Sequence, residues 1–284
     1  MSLIEPNGKS NSYSIPQDVK THACLMLFAW GFCSTNGFIV SRHFKLGWPG
    51  QTMRNWTYWF NFHLLFQSFL LAFVVLSLFV IVAFVTGYSK ITAAPFYVHP
   101  ALGFTIVSLT FLNPLFAWFL ITSTGPRRSV FRNFHLCTGL LAQMFSVPQM
   151  FIGFNMPSLG NKLCKTSLFP GLYLASVILY VIVEVVLEVL GYMILFKKKE
   201  LKSRFQNDEL DVDAVILDMA KEPREKRKIA AALLPNRGYE ERQIAQQLFK
   251  KIHLLRILKY FIFSAHLLGS FTLIFVMVTM LAHM

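Results

Sequence analysis

Apolar positions dominate six stretches of the chain, residues 22–44, 56–85, 98–122, 130–154, 170–196 and 257–282. A helix that crosses a bilayer needs about 20 mostly apolar residues, and each stretch is long enough. The pattern predicts six spanning helices and an all-α fold. Turn-formers collect between the first five stretches, at Gly47-Trp48-Pro49-Gly50, Ala94-Pro95 and Thr124-Gly125-Pro126. The fifth connection, residues 197–256, is different in kind. It carries 15 basic and 10 acidic residues and reads as a solvated loop with some helix.

Composition sharpens this picture. The chain has 284 residues, 55% of them apolar and only 14% charged, and its mean hydropathy is +0.50. Soluble domains are about a quarter charged, so an ordinary soluble enzyme is excluded, and 29 Phe exclude a disordered chain. The net charge of +13 could mean nucleic acid or a membrane surface. The placement of the charges decides between them. Arg42, Lys45, Arg54, Arg127, Arg128, Arg132, Lys259 and the 15 of the long connection fall on one side; Lys9, Lys20, Lys90, Lys162 and Lys165 fall on the other. Basic residues stay cytosolic. The expectation is a cytosolic long loop, both termini outside or luminal, and no nucleic-acid partner. Residues 1–20 are polar, contain Pro6 and Pro16, and lack the apolar core of a signal peptide. They read as a short outer tail. Asn55-Trp56-Thr57 matches a glycosylation acceptor but falls on the cytosolic side. Cys24, Cys33, Cys137 and Cys164 form no C-x-x-C pair and imply neither a disulfide framework nor zinc.

Four of the eight histidines lie near the ends of the first four stretches: His22, His63, His99 and His135. Threaded alternately, His22 and His99 fall at the outer ends. His63 and His135 fall about 7–10 Å in from the cytosolic ends at 1.5 Å per residue. The separations are similar, 77 residues for His22 to His99 and 72 for His63 to His135. One intramembrane histidine is usually a polar residue bonded to a neighbouring helix. Two depth-matched pairs are better explained by function. Two neutral imidazoles facing across a bundle suit bis-axial haem ligation. Zinc fits less well, since it needs three or four close ligands and each layer offers two. Gly31, Gly37, Gly103, Gly139 and Gly153 would let a flat macrocycle approach the helices, or would serve close helix packing.

The stretches around these histidines resemble a known family. His22-Ala-Cys-Leu-Met-Leu-Phe-Ala-Trp-Gly31, with Gly37-Phe-Ile-Val-Ser-Arg-His-Phe-Lys45, resembles the first core helix of the eukaryotic cytochrome b561 family. Its ferric-chelate reductase branch, which usually carries a DOMON domain, is the nearest in kind. Trp59-Phe-Asn-Phe-His63, His99-Pro-Ala-Leu-Gly103 with Asn113-Pro-Leu-Phe-Ala117, and Arg132-Asn-Phe-His135-Leu-Cys-Thr-Gly139 resemble the second, third and fourth. The resemblance covers about residues 20–195. No DOMON domain is expected in the roughly 20 residues before the first stretch. The resemblance implies a six-helix transmembrane bundle with a four-helix di-haem core at residues 21–196, the basic loop at 197–256 and a sixth span at 257–284. It implies two haem b groups, ligated by His22 with His99 and by His63 with His135. Electrons would pass from cytosolic ascorbate to an outer acceptor, ferric iron or monodehydroascorbate.

Other residues extend or compete with this expectation. Arg42, Lys45, Arg127, Arg128 and Arg132 form a basic cytosolic edge that would attract anionic ascorbate, or bind lipid head groups. Glu184 and Glu188 share a helix face at i, i+4. They should be neutral or paired, as a packing patch or as a proton path or haem-propionate neighbour. His266 reads as structural, and His43, His253 and His283 as solvated. The competing function is a six-span transporter or receptor without cofactor. A plasma or endo-lysosomal membrane suits this topology, and a homodimer is one admissible assembly.

Overall fold

The computed structural model describes residues 15–48, 52–87, 91–92, 94–156, 168–205 and 239–284. Cys164, Lys9, Lys90, Lys162, Lys165, most of the N-terminal tail and the middle of the long connection lie outside them. The described chain is all-α apart from one small hairpin. Its elements are α1 (Gln17–Met26), a π-helical segment (Leu27–Ser34), α2 (Thr35–His43), β1 (Thr52–Met53), β2 (Trp56–Thr57), α3 (Tyr58–Val85), α4 (Val98–Thr122), α5 (Gly125–Phe154), α6 (Leu168–Phe205) and α7 (Tyr239–His283). The stretch from Gln17 to His43 and the helices α3 to α7 are six units long and apolar enough to cross a membrane. Large apolar side chains such as Phe79, Trp118, Phe196 and Leu268 are exposed, as expected of surfaces that face lipid rather than water.

The helix ends differ from the apolar stretches for local reasons. Trp56 and Thr57 are not helical. They pair with Thr52 and Met53 in an antiparallel hairpin whose two turn residues, Arg54 and Asn55, have φ of 54° and 66°. Positive φ at both central positions is the turn that suits a two-residue hairpin. Asn61 then donates to the carbonyls of Met53, Trp56 and Thr57 and ties the hairpin to α3. The helix α5 begins at Gly125, before the apolar stretch, because Thr124 sits in the extended cap conformation and Pro126 needs no intrahelical donor in the first turn. Arg127, Arg128 and Arg132 therefore lie on helix.

Helices also run into both ends of the long basic connection. Lys and Glu are good helix formers, so α6 continues to Phe205. The polar start of α7 has a buried stripe, Ala245, Leu248, Phe249 and Ile252, at the spacing of one helix face.

The chain divides into two compact units. The first comprises Met1–Trp30, Leu71–Leu172 and Phe275–Met284. Within it α4 and α5 pack as a helical hairpin. The second comprises Gly31–Leu70 and Tyr173–Ile274. Its core joins Ile39, Phe44, Val183 and Leu187, flanked by Trp48, Trp59, Tyr180 and Tyr260. Tyr260 donates to the Gly47 carbonyl. Thr35 and Asn36 follow the π-helical turns, where the usual i→i−4 bonding is displaced. Their side chains bond the Gly31 and Phe32 carbonyls instead.

Candidate functional site

In the first unit, His22 of α1 and His99 of α4 meet with ring centres 6.4 Å apart at 72°. That distance lies within the range of ordinary aromatic pairs, so the hydrogen bonding must carry the argument. His22 Nδ1 lies 3.2 Å from the Ser77 carbonyl and 2.7 Å from its hydroxyl. A carbonyl only accepts, so Nδ1 is the donor and the neutral ring keeps its lone pair on Nε2. The Ser77 hydroxyl donates in turn to the His22 carbonyl, at 3.2 Å. His99 is held differently. Gln149 of α5 donates to its backbone carbonyl at 2.8 Å, while His99 Nδ1 and Gln149 Oε1 are buried without a partner.

A cavity of about 590 Å³ opens beside both rings. This is the size of a small-molecule or cofactor site. Among the described residues its polar lining is His22, His99, Ser146, Gln149 and the Trp30 indole, and no Asp, Glu, Lys or Arg is among them. Two of its glycines leave space that a side chain would fill. A Cβ on Gly153 would meet His99 Cε1 at 3.1 Å, and one on Gly103 would meet Gln149 Nε2 at 3.0 Å.

His135 is also in the first unit, and its Nδ1 bonds the Asn113 carbonyl at 3.1 Å. His63 belongs to the second unit and bonds the Gly37 carbonyl at 3.0 Å. Three of the four histidines thus have Nδ1 on a main-chain carbonyl. Among the described residues, no three His, Cys, Asp or Glu side chains come together as a metal cage. Nothing in the sequence pattern marks Ser77 or Gln149; a polar residue in an apolar helix was the only available signal.

The basic residues are dispersed in their bonding. Arg127, Arg128 and Arg132 are exposed on α5, where Arg132 donates to Ser129. In the second unit, Lys45 lies 5.5 Å from the centre of the Trp59 ring. Arg42 is ion-paired, 3.3 Å from Glu188 and 3.7 Å from Glu184. His43 corrects an expectation. It is not solvated: its side chain is 3% exposed and its Nε2 lies 2.7 Å from Glu184. The sequence places it at a membrane flank; the carboxylates one turn apart on α6 draw it inward. His283 is exposed as expected.

Fold and site define an all-α protein with six membrane-length helices and half-buried histidines braced by carbonyls. The chain is 30% identical to the putative ferric-chelate reductase 1 of Xenopus laevis over 192 residues, 66% of this chain and 30% of that protein. It is 31% identical to ferric-chelate reductase 1 of Mus musculus over 214 residues, covering 73% and 33%, and 31% identical to that of Homo sapiens over 192 residues, covering 66% and 30%. The chain is therefore similar in sequence to ferric-chelate reductases, the branch that its histidine-bearing stretches resemble. It spans about a third of the length of these relatives. No family model and no solved structure matches it.

Proposed function

We propose that the chain is a transmembrane oxidoreductase that binds haem b and moves single electrons across the membrane. The observation that carries this reading is the Nδ1-to-carbonyl bond of His22, His63 and His135. Metal-ligating histidines commonly use their second ring nitrogen this way, which fixes the tautomer and the ring plane. In the first unit, His22 and His99 would hold one haem in the apolar cavity. By the family resemblance, His63 and His135 are the ligands of a second. Bound haem with two histidine ligands supplies one-electron transfer without an open coordination position.

The protein's own groups then have defined tasks. Ser77 keeps the lone pair of His22 on Nε2. Gly103 and Gly153 keep the cavity open to a flat ligand. Its described lining, mostly apolar, suits a flat apolar ring system. The donor in this reading is cytosolic ascorbate, drawn by Arg127, Arg128, Arg132 and Lys45, and more weakly by Arg42, whose charge two carboxylates already meet. The acceptor is ferric iron or monodehydroascorbate on the outer or luminal side, where both termini lie. The relatives' name, ferric-chelate reductase, supports iron.

An absorption spectrum and a pyridine-haemochrome assay of the purified protein test the reading. Two haems per chain are expected. Zero would overturn it in favour of a cofactor-free transporter or receptor, and one would remove the second site.

A further inference from the structure

The second unit holds a run of titratable groups that the haem reading does not use. At its exposed end, Arg42 is 62% exposed and Glu188 42%. His43 Nδ1 lies 3.9 Å from Glu188, and its Nε2 lies 2.7 Å from Glu184. Glu184 presents a second oxygen, Oε1, that is buried without a partner. One turn earlier on α6, Tyr180 interacts with Glu184, and its ring centre lies 6.4 Å from that of His266 on α7. His266 is 4% exposed and neither ring nitrogen has a hydrogen-bond partner. A fully buried imidazole with both nitrogens unpaired is unusual, and here it ends a line of proton carriers.

The charges around this line sort themselves. Glu188 has two cationic neighbours, Arg42 and, from α7, Lys259. Lys259 is in turn close to Arg256 and Lys198. Glu184 has His43 as its hydrogen-bond partner, with Arg42 further off at 3.7 Å. The proton shared by His43 and Glu184 therefore sits in the shortest contact of the group, with Arg42 as the nearest fixed charge.

We infer that His43, Glu184, Tyr180 and His266 form a proton relay that loads His266 from the exposed edge beside Arg42 and Glu188. A proton arrives at His43 Nδ1, and the imidazolium gives its Nε2 proton to Glu184 Oε2. The carboxyl turns. The His266 ring, unbonded at both nitrogens, turns toward the Tyr180 hydroxyl, which accepts that proton while passing its own to a ring nitrogen, and His266 becomes imidazolium. Tyr180 ends as it began, and one proton has moved inward. Release is the reverse. An imidazole suits the first step because its two nitrogens face two different partners. The relay stands apart from the haem reading, and it would work equally in a protein without haem.

The test follows the His266 ring protons by ¹⁵N NMR, in full-length protein labelled at histidine and held in lipid nanodiscs, after transfer to D₂O. The wild-type ring is expected to exchange faster than the backbone amides of its own helix. Glu184→Gln and Tyr180→Phe should each slow this by about a hundredfold, the scale of losing a positioned proton carrier. Glu184→Asp should recover part of the rate. A wild-type ring that keeps its protons as long as the helix amides overturns the proposal without any variant. So does wild-type exchange in Tyr180→Phe, which keeps the ring's shape and removes only the hydroxyl. Haem content enters neither outcome.

Discussion

Two of the protein's histidine sites use one side chain in opposite ways. In the first unit, His22 faces a carbonyl and a hydroxyl, and the cavity beside it has no charged residue in its described lining. In the second, His43 faces two carboxylates with an arginine beside them. A carbonyl fixes which nitrogen carries the proton and leaves the other as a neutral donor of electrons to a metal. A carboxylate favours the cation and invites the proton to move. The difference lies in what the bonded ring nitrogen touches, a carbonyl and a hydroxyl for His22 and a carboxylate for His43.

The largest expected effect breaks the comparison outright if it fails. His22→Ala or His99→Ala should halve the haem per chain by pyridine haemochrome, while His43→Gln should leave it unchanged. Equal losses in all three would mean that the carbonyl brace does not distinguish a ligand. Gly153→Ala pushes a methyl to 3.1 Å from His99 Cε1. Overpacking of this kind costs about 1–3 kcal/mol, and it should appear as a lowered thermal midpoint with an altered haem spectrum.

Ser77→Ala leaves the backbone carbonyl and removes only the hydroxyl. Haem should dissociate about tenfold faster, the lower end of the effect of losing a partner behind a metal ligand, as read by transfer to apomyoglobin. Smallest is the contrast within the basic edge. Arg132→Ala should slow ascorbate reduction about threefold at low salt, where steering is least screened, in stopped-flow mixing. Arg42→Ala should change that rate less. It should also cost under about 1 kcal/mol in thermal unfolding, since an exposed ion pair contributes little.

The sequence made the six helices legible because each carries an unbroken apolar stretch, and nothing but length is needed to read one. Their ends were harder. Trp56 is as apolar as its neighbours, yet the positive φ of Arg54 and Asn55 claims it for a hairpin. The polar start of α7 hides four buried residues among charges, so a hydropathy reading sees a solvated loop with some helix and does not place that helix. The meeting of His22 with His99 could be read from their spacing and depth. The braces of the histidines could not, because Ser77, Asn113 and Gln149 obey no period and meet their partners only across helices. The burial of His43 escapes the sequence for the same reason. Glu184 lies 141 residues away, and no local pattern links them.

The helical start of α7 has a mechanical consequence. Residues 239–256 add 18 residues, about 27 Å of rod, to the helix that carries His266 and Tyr260. A slack tether would absorb a pull at its far end. A continuous helix works instead as a crank. Each residue is worth about 100° of turn, so a twist applied near Glu240 arrives at His266 as a change of facing. Whatever grips that end holds a handle on the second unit, and a spin label placed there would read the helix's rotation from water.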